Sequence, residues 1–284
     1  MIRSKIPTLV TGFLLLAFQL PDHKAPEAPE TSAQGIDSCQ AANFTFQNGE
    51  KLTYKIFYNW NFVWLSAGEV TFKVFDEDKQ WHYQAYGKTY PSYEWFFKVQ
   101  DQYDSWVNKG TLLPNYSERS VNEGNYHIFE KISFNQSTKK MSVWRAPQKG
   151  GEEKKTEHTV TDCVHDILSS LYFLRNIDLT DPQSGNTVPF RIFMDQAEYP
   201  LKLRFKGRDA NKNVHGMGRY KVLKYQPDVI AGSVFKEDTK MTVWVSDDEN
   251  RIPVLIESPV SVGSVKMVLK EYWGLRYDFK AKVK

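Results

Sequence analysis

Ser233 and Lys236 stand three residues apart, the S-x-x-K spacing in which a serine opening a helix is activated by a lysine one turn on. Here the flanking residues, AGSVFKEDTKMTVWV, read as a loop running into a strand, and neither S-D-N nor K-T-G accompanies them. The pair is therefore expected to be a coincidence of loop composition. His82, His127, His158, His165 and His215 form no H-x-H or H-E-x-x-H spacing, so neither a metal site nor a cofactor is expected. His165 and Asp166 are adjacent on a predicted helix, and neighbouring helix residues do not share a face. Asp76-Glu77-Asp78-Lys79 lacks the ligand spacing of a calcium loop and is expected to be a hairpin turn. With no G-x-S-x-G elbow and no phosphate loop, no catalytic residue is assigned.

Aromatic residues are the remaining signal. Tyr58, Trp60 and Phe62 in one segment, and Tyr90, Tyr93 and Trp95 in another, concentrate rings at strand ends. Exposed there, they would line a mouth for an acyl chain or stack on a sugar; the alternative is ordinary sheet packing. Asp101, Asp104, Arg119 and Arg251 are the charged residues expected to pair inside a curved sheet.

The elements that must hold these residues are mostly strands. Leu52, Tyr54, Ile56 and Tyr58 alternate with Lys51, Thr53, Lys55 and Phe57, the period of a half-buried strand. The same grammar recurs at roughly ten-residue spacing. It continues to the meander Met241–Gly274, whose first connection, Asp247 to Asn250, reads as a hairpin tip. Within Phe62–Phe75, Ser66-Ala67-Gly68 predicts a bulge or a close backbone approach. One helix is expected over about 162–176, capped by Thr161-Asp162, with Val164, Ile167, Leu168, Leu171, Tyr172 and Leu174 on its apolar face. The fold class is mainly β: a large curved antiparallel sheet, open barrel or sandwich, with this amphipathic helix packed against it.

The chain has 284 residues, 41% hydrophobic and 14% aromatic, with a formal charge of +3. The mean hydropathy of −0.53 excludes a polytopic membrane protein. Scattered Lys and Arg give no footprint for a nucleic-acid partner. Arg3 and Lys5 followed by an uncharged apolar run, Ile6 to Leu20, predict a signal peptide or an uncleaved N-terminal anchor over 1–20. In the second case the membrane is met through that segment alone. Residues 21–38, rich in Pro, Ala and Glu, predict a disordered spacer, leaving 39–284 as a single β-rich domain. Export makes Cys39 and Cys163 a disulfide candidate, the alternative being two unrelated buried thiols. Such a bridge would contribute on the order of 4 kcal/mol.

Gly49-Glu50-Lys51-Leu52-Thr53-Tyr54, Ala67-Gly68-Glu69, Phe97-Lys98-Val99-Gln100-Asp101, Cys163 to Leu168 (CVHDIL) and Trp244 to Asp248 (WVSDD) together resemble the bacterial domain of unknown function 3108 family. The resemblance runs over most of the chain from about Cys39. It implies an exported cell-envelope protein and brings no catalytic residues. A looser architectural similarity is to open β-barrels that carry lipids or lipoproteins in the periplasm. The expected function is a non-catalytic protein of the periplasm or cell envelope, binding a lipid, a lipoprotein or a partner protein in its curved sheet. Alternatives are a hydrolase or binding protein acting on glycans or cell-wall material, and a scaffold in an envelope complex.

Overall fold

The structure, a computed structural model, describes residues 39–60, 63–94, 97–180, 185–214, 216–230, 239–260 and 263–283. The segments 1–20 and 21–38, and Phe62, Trp95, His215, Ser233 and Lys236, lie outside the described residues.

Among the described residues, fourteen strands form one antiparallel sheet that curls without closing. In chain order they are β1 (Lys51–Trp60), β2 (Val63–Glu77), β3 (Gln80–Thr89), β4 (Gln100–Asn108), β5 (Pro114–Glu123), β6 (Tyr126–Asn135), β7 (Lys140–Ala146), β8 (Lys154–Thr159), β9 (Thr187–Met194), β10 (Ala197–Val214), β11 (Gly218–Pro227), β12 (Thr242–Ser246), β13 (Pro253–Pro259) and β14 (Ser264–Trp273). Their order across the sheet is β8-β7-β6-β5-β4-β3-β2-β1-β14-β13-β12-β11-β10-β9. A short helix, α1 (Pro91–Glu94), follows β3, and α2 (Ile167–Arg175) follows β8.

Alternation explains which face each strand buries. Leu52, Tyr54, Ile56 and Tyr58 point inward with Val70, Phe72 and Val74 of β2 and Tyr83 and Ala85 of β3, and all are buried. The bulge falls where glycine predicts it. Ile56 pairs with Gly68 and Phe57 with Ser66, leaving Ala67 as the extra residue. A Cβ on Gly68 would lie 2.3 Å from the Lys88 carbonyl oxygen, so the neighbouring strand can approach only because none is there.

The helix is shorter than its periodicity suggests, and its cap is different. Asp166 is the N-cap: its carboxylate accepts the Leu168 and Ser169 amides at 2.8 and 3.0 Å, and the Ser169 hydroxyl accepts the Asp166 amide at 3.0 Å. Thr161 and Asp162 do not cap it, because residues 163–166 are not helical and Asp166 itself is extended. His165 makes a parallel bridge to Ile192, donating its amide to the Arg191 carbonyl at 2.9 Å and accepting from Phe193 at 2.8 Å. This segment lies in the seam between the free edges β8 and β9. Gln136 holds it from the other side through both its oxygen and nitrogen, bonding the Val164 amide at 3.2 Å and carbonyl at 2.8 Å.

α2 packs inside the curl against β3, β4 and β9, and buries Ser169, Ser170 and Arg175 as well as Ile167, Leu168, Tyr172 and Phe173, while Leu171 and Leu174 are half-buried. Tyr172 stacks on Tyr83 at 4.1 Å, and Phe46 meets both rings edge-on. Cys39 and Cys163 are bonded, Cα to Cα 5.6 Å, tying the first described residue to the start of the seam.

Candidate functional site: the concave face, its mouth and an outer groove

The α2 side of the interior is sealed. Arg175 forks onto Glu50 at 2.6 and 2.9 Å and donates to the Asn250 carbonyl at 3.0 Å, so the two buried charges are paired through both terminal guanidinium nitrogens. Burial works to lower the Arg175 pKa, but the Glu50 carboxylate outweighs it and holds it above the ordinary range.

Further round the curl, inward-facing positions of β4 to β7 carry charge. Arg119 lies 2.8 Å from Glu130, an ion pair without the angle of a linear hydrogen bond, and 2.5 Å from Asp195 in the β9–β10 turn. Arg145 joins the same two carboxylates, reaching Asp195 at 2.8 Å. Asp101 and Glu123 are a buried carboxyl pair beside this network. Burial pushes the Asp101 carboxyl up to about 6, against the lowering pull of the Asn122 amide, Glu123 and Arg119. Converging carboxylates are what a glycan hydrolase would need. Here, however, the adjoining cavity, lined by Tyr103, Arg119, Glu130 and Asp166 among others, has about 30 Å³, room for a water and not a sugar.

Three of the four charged residues expected to pair do so with another side chain, Arg119 and Arg251 in ion pairs and Asp104 in a hydrogen bond to histidine. Arg119 bonds as above, Asp104 bonds His82 at 2.8 Å on the outer face, and Arg251 bonds Asp178 at 2.9 Å at the surface. Asp101 instead accepts the Asn122 amide at 2.8 Å. The described histidines are dispersed. His165 packs on Phe173 in the core, His158 bonds Thr156 and His127 bonds Asn122.

The predicted aromatic candidates divide. Tyr58 points to the concave side opposite Leu65 and Val265. The Trp60 side chain is not described. Tyr90 donates to Glu69 at 2.8 Å, in a surface cluster with Lys270, and Tyr93 is half-buried on α1. Burial and the bond to Glu69 raise the Tyr90 pKa.

What the spacing of the aromatics missed is a wider apolar row. Register aligns Ile56, Met267, Ile256, Val243 and Tyr225 across β1, β14, β13, β12 and β11. Ile56 shares the face of Tyr54, whose phenol lies in the field of Arg175 and Glu50, so the row looks into the curl. Met267, Ile256 and Val243 are only half-buried.

The opposite face of β3 to β6 bears a polar groove of about 440 Å³, whose lining includes Tyr86, Gln102, Asp104, Ser120, Asn122 and Lys149. Asp104 is its braced floor. It accepts His82 at 2.8 Å, Gln84 at 3.0 Å and Gln102 at 2.8 Å. Burial works to raise its pKa, and these three bonds more than offset that and hold it below the usual carboxylate range.

These features define an unclosed antiparallel β-barrel with an internal helix. The chain belongs to the family described as protein of unknown function DUF3108, which matches residues 53–270. It is similar in fold to a β-barrel-like protein of the domain of unknown function DUF1849 from Brucella abortus, at 8% identity and a TM-score of 0.56, over 82% of this chain and 100% of that one. A Bacteroides fragilis protein, described as a candidate exported protein with a YmcC-like fold, aligns at 9% identity over 82% of this chain and 99% of its own; its TM-score of 0.32 carries no argument. No curated protein matches the chain. The Cys39–Cys163 bridge is consistent with an exported, oxidising setting.

Proposed function

We propose that this chain is a non-catalytic protein of the periplasm or cell envelope that binds an apolar or amphipathic ligand, the acyl part of a lipid or lipoprotein, on its concave face. The observation that supports this reading is the half-exposed row of Met267, Ile256 and Val243, flanked by Tyr58 and Leu65, beyond the sealed α2 side. Apolar side chains left half-open on a concave surface are what an acyl chain would cover. A hydrolase is disfavoured because the converging carboxylates adjoin space for a water alone. The test is titration of the full chain with a fluorescent fatty-acid probe, followed by displacement with unlabelled lipid. Saturable binding that Met267→Lys abolishes without changing the circular dichroism supports the reading. Absence of saturable binding overturns it.

A further inference from the structure

The outer groove is built differently from the concave face, and its construction points to another kind of ligand. Its floor is a fixed acceptor, Asp104, which consumes one amide N–H each from Gln84 and Gln102. Those bonds orient the two amides, and Gln102, which lines the groove, keeps its carbonyl oxygen and second N–H for a ligand. Asn122 is held in the same manner. Its Nδ2 donates to the Gln100 carbonyl at 3.2 Å and to Ser120 Oγ at 3.3 Å, while its Oδ1 lies 3.1 Å from His127 Nδ1.

Register sets these groups in ranks. Tyr86, Gln102 and Ser120 are direct cross-strand neighbours on β3, β4 and β5, and Asn122 stands opposite His127 on β6. Neighbouring strands are about 4.8 Å apart, so a ring, an amide and a hydroxyl repeat at intervals that one pyranose can span. The wall is Lys149 from the β7–β8 connection, which lies over the Phe129 ring and is anchored on Glu118 at 2.9 Å.

Charge argues against an anion. Lys149 is neutralised by Glu118, Lys98 of the lining lies 3.9 Å from Glu94, and the Asp104 carboxylate lies in the floor. What remains is a set of neutral donors and acceptors with one half-buried tyrosine face. Oriented amides and hydroxyls beside a ring match the equatorial hydroxyls and apolar faces of sugars. The volume of about 440 Å³ lies within the range of small-ligand clefts.

We infer that the outer face of β3–β6 is a binding site for a neutral glycan chain, separate from the concave apolar row and requiring no catalysis. Saturation-transfer NMR and calorimetry on the full chain, with cellotetraose and tetra-N-acetylchitotetraose as probes, test it. Binding of at least one of them is expected, weakened tenfold or more by Gln102→Ala and by Tyr86→Ala, and blocked by Ser120→Trp. Gln102 is exposed, so its truncation leaves the fold intact. The concave-face variant Met267→Lys is expected to leave glycan binding unchanged, so that failure of the lipid reading and failure of this one are read separately. The inference is overturned if neither oligosaccharide binds, if Gln102→Ala, Tyr86→Ala and Ser120→Trp leave binding unaltered, or if inorganic phosphate alone binds in the groove.

Discussion

Asp195, in the turn between β9 and β10, reaches Arg119 on β5 at 2.5 Å, and so joins the two arms of a sheet whose edge strands never pair. The turn residues Asp195 and Gln196 both have positive φ, 49° and 66°, the conformation of a tight two-residue hairpin. That geometry aims one carboxylate inward at Arg119 and Arg145. Asp195→Ala would leave Arg119 buried with Glu130 as its remaining carboxylate. Truncating one partner of a buried ion pair costs about 3–5 kcal/mol, and the lower end is expected because Glu130 stays. Urea denaturation measures it. Unchanged stability would mean that the 163–166 segment and the Thr156–Gln196 and Thr161–Glu198 contacts hold the edges without it.

Asp101 makes stability pH-dependent in a direction opposite to most carboxylates. Its folded pKa, about 6, lies above the unfolded value of about 3.9. Between those values the folded state holds the extra proton, so its contribution is full below pH 4 and is lost as pH rises through 6. The loss is about 3 kcal/mol. Asp101→Asn keeps an acceptor for the Asn122 amide and carries no titrating proton. Relative to wild type it should gain stability at pH 8 and gain little at pH 4, as read from denaturation curves at both.

Removing the Cys39–Cys163 bond releases a constraint across 124 residues of sequence. The chain-entropy model gives about 4–5 kcal/mol for a loop of that size. Denaturation with and without reductant should show that difference, and Cys39→Ser should be insensitive to reductant. Equal stability in both conditions would show that the reduced, unfolded chain keeps residual structure there.

Glu50 and Arg175 test whether a buried pair stabilises or only specifies. Arg175→Met alone strands Glu50 in the core and should cost about 3–5 kcal/mol. The double variant Glu50→Leu, Arg175→Met replaces both charges with apolar volume and should recover most of the loss. A double variant as unstable as the single one would assign the cost to the Asn250 carbonyl bond instead.

The strands were legible because one face of each is buried, so Leu52, Tyr54, Ile56 and Tyr58 carry the period in their own residue types. β8, KKTEHT, was not, since as an edge strand it is polar on both faces and has no apolar alternation to read. The helix was placed about five residues early because Val164 continues the apolar spacing of Ile167, Leu168 and Leu171. Its backbone is held out of the helix by Gln136, and that of His165 by β9, partners that are remote in sequence. For the same reason the partners of Arg119, 11 and 76 residues away, were beyond reach. The outer groove left one trace, the alternation of Gln100, Gln102 and Asp104 and of Ser120 and Asn122. Its meaning depends on which strands pair.

The sheet order has a consequence for how the molecule is made. β1 lies between β2 and β14, so the first strand is completed by the last, and the free edges belong to strands from the middle of the chain. A chain synthesised from its N-terminus must carry β1 with one side unpaired until about two hundred further residues have emerged. An unpaired edge of that kind invites pairing with other chains, and contacts so distant in sequence form slowly. Linking β14 directly to β1 and reopening the chain between α2 and β9 would turn the same sheet into one uninterrupted meander, each strand meeting its neighbour as it appears.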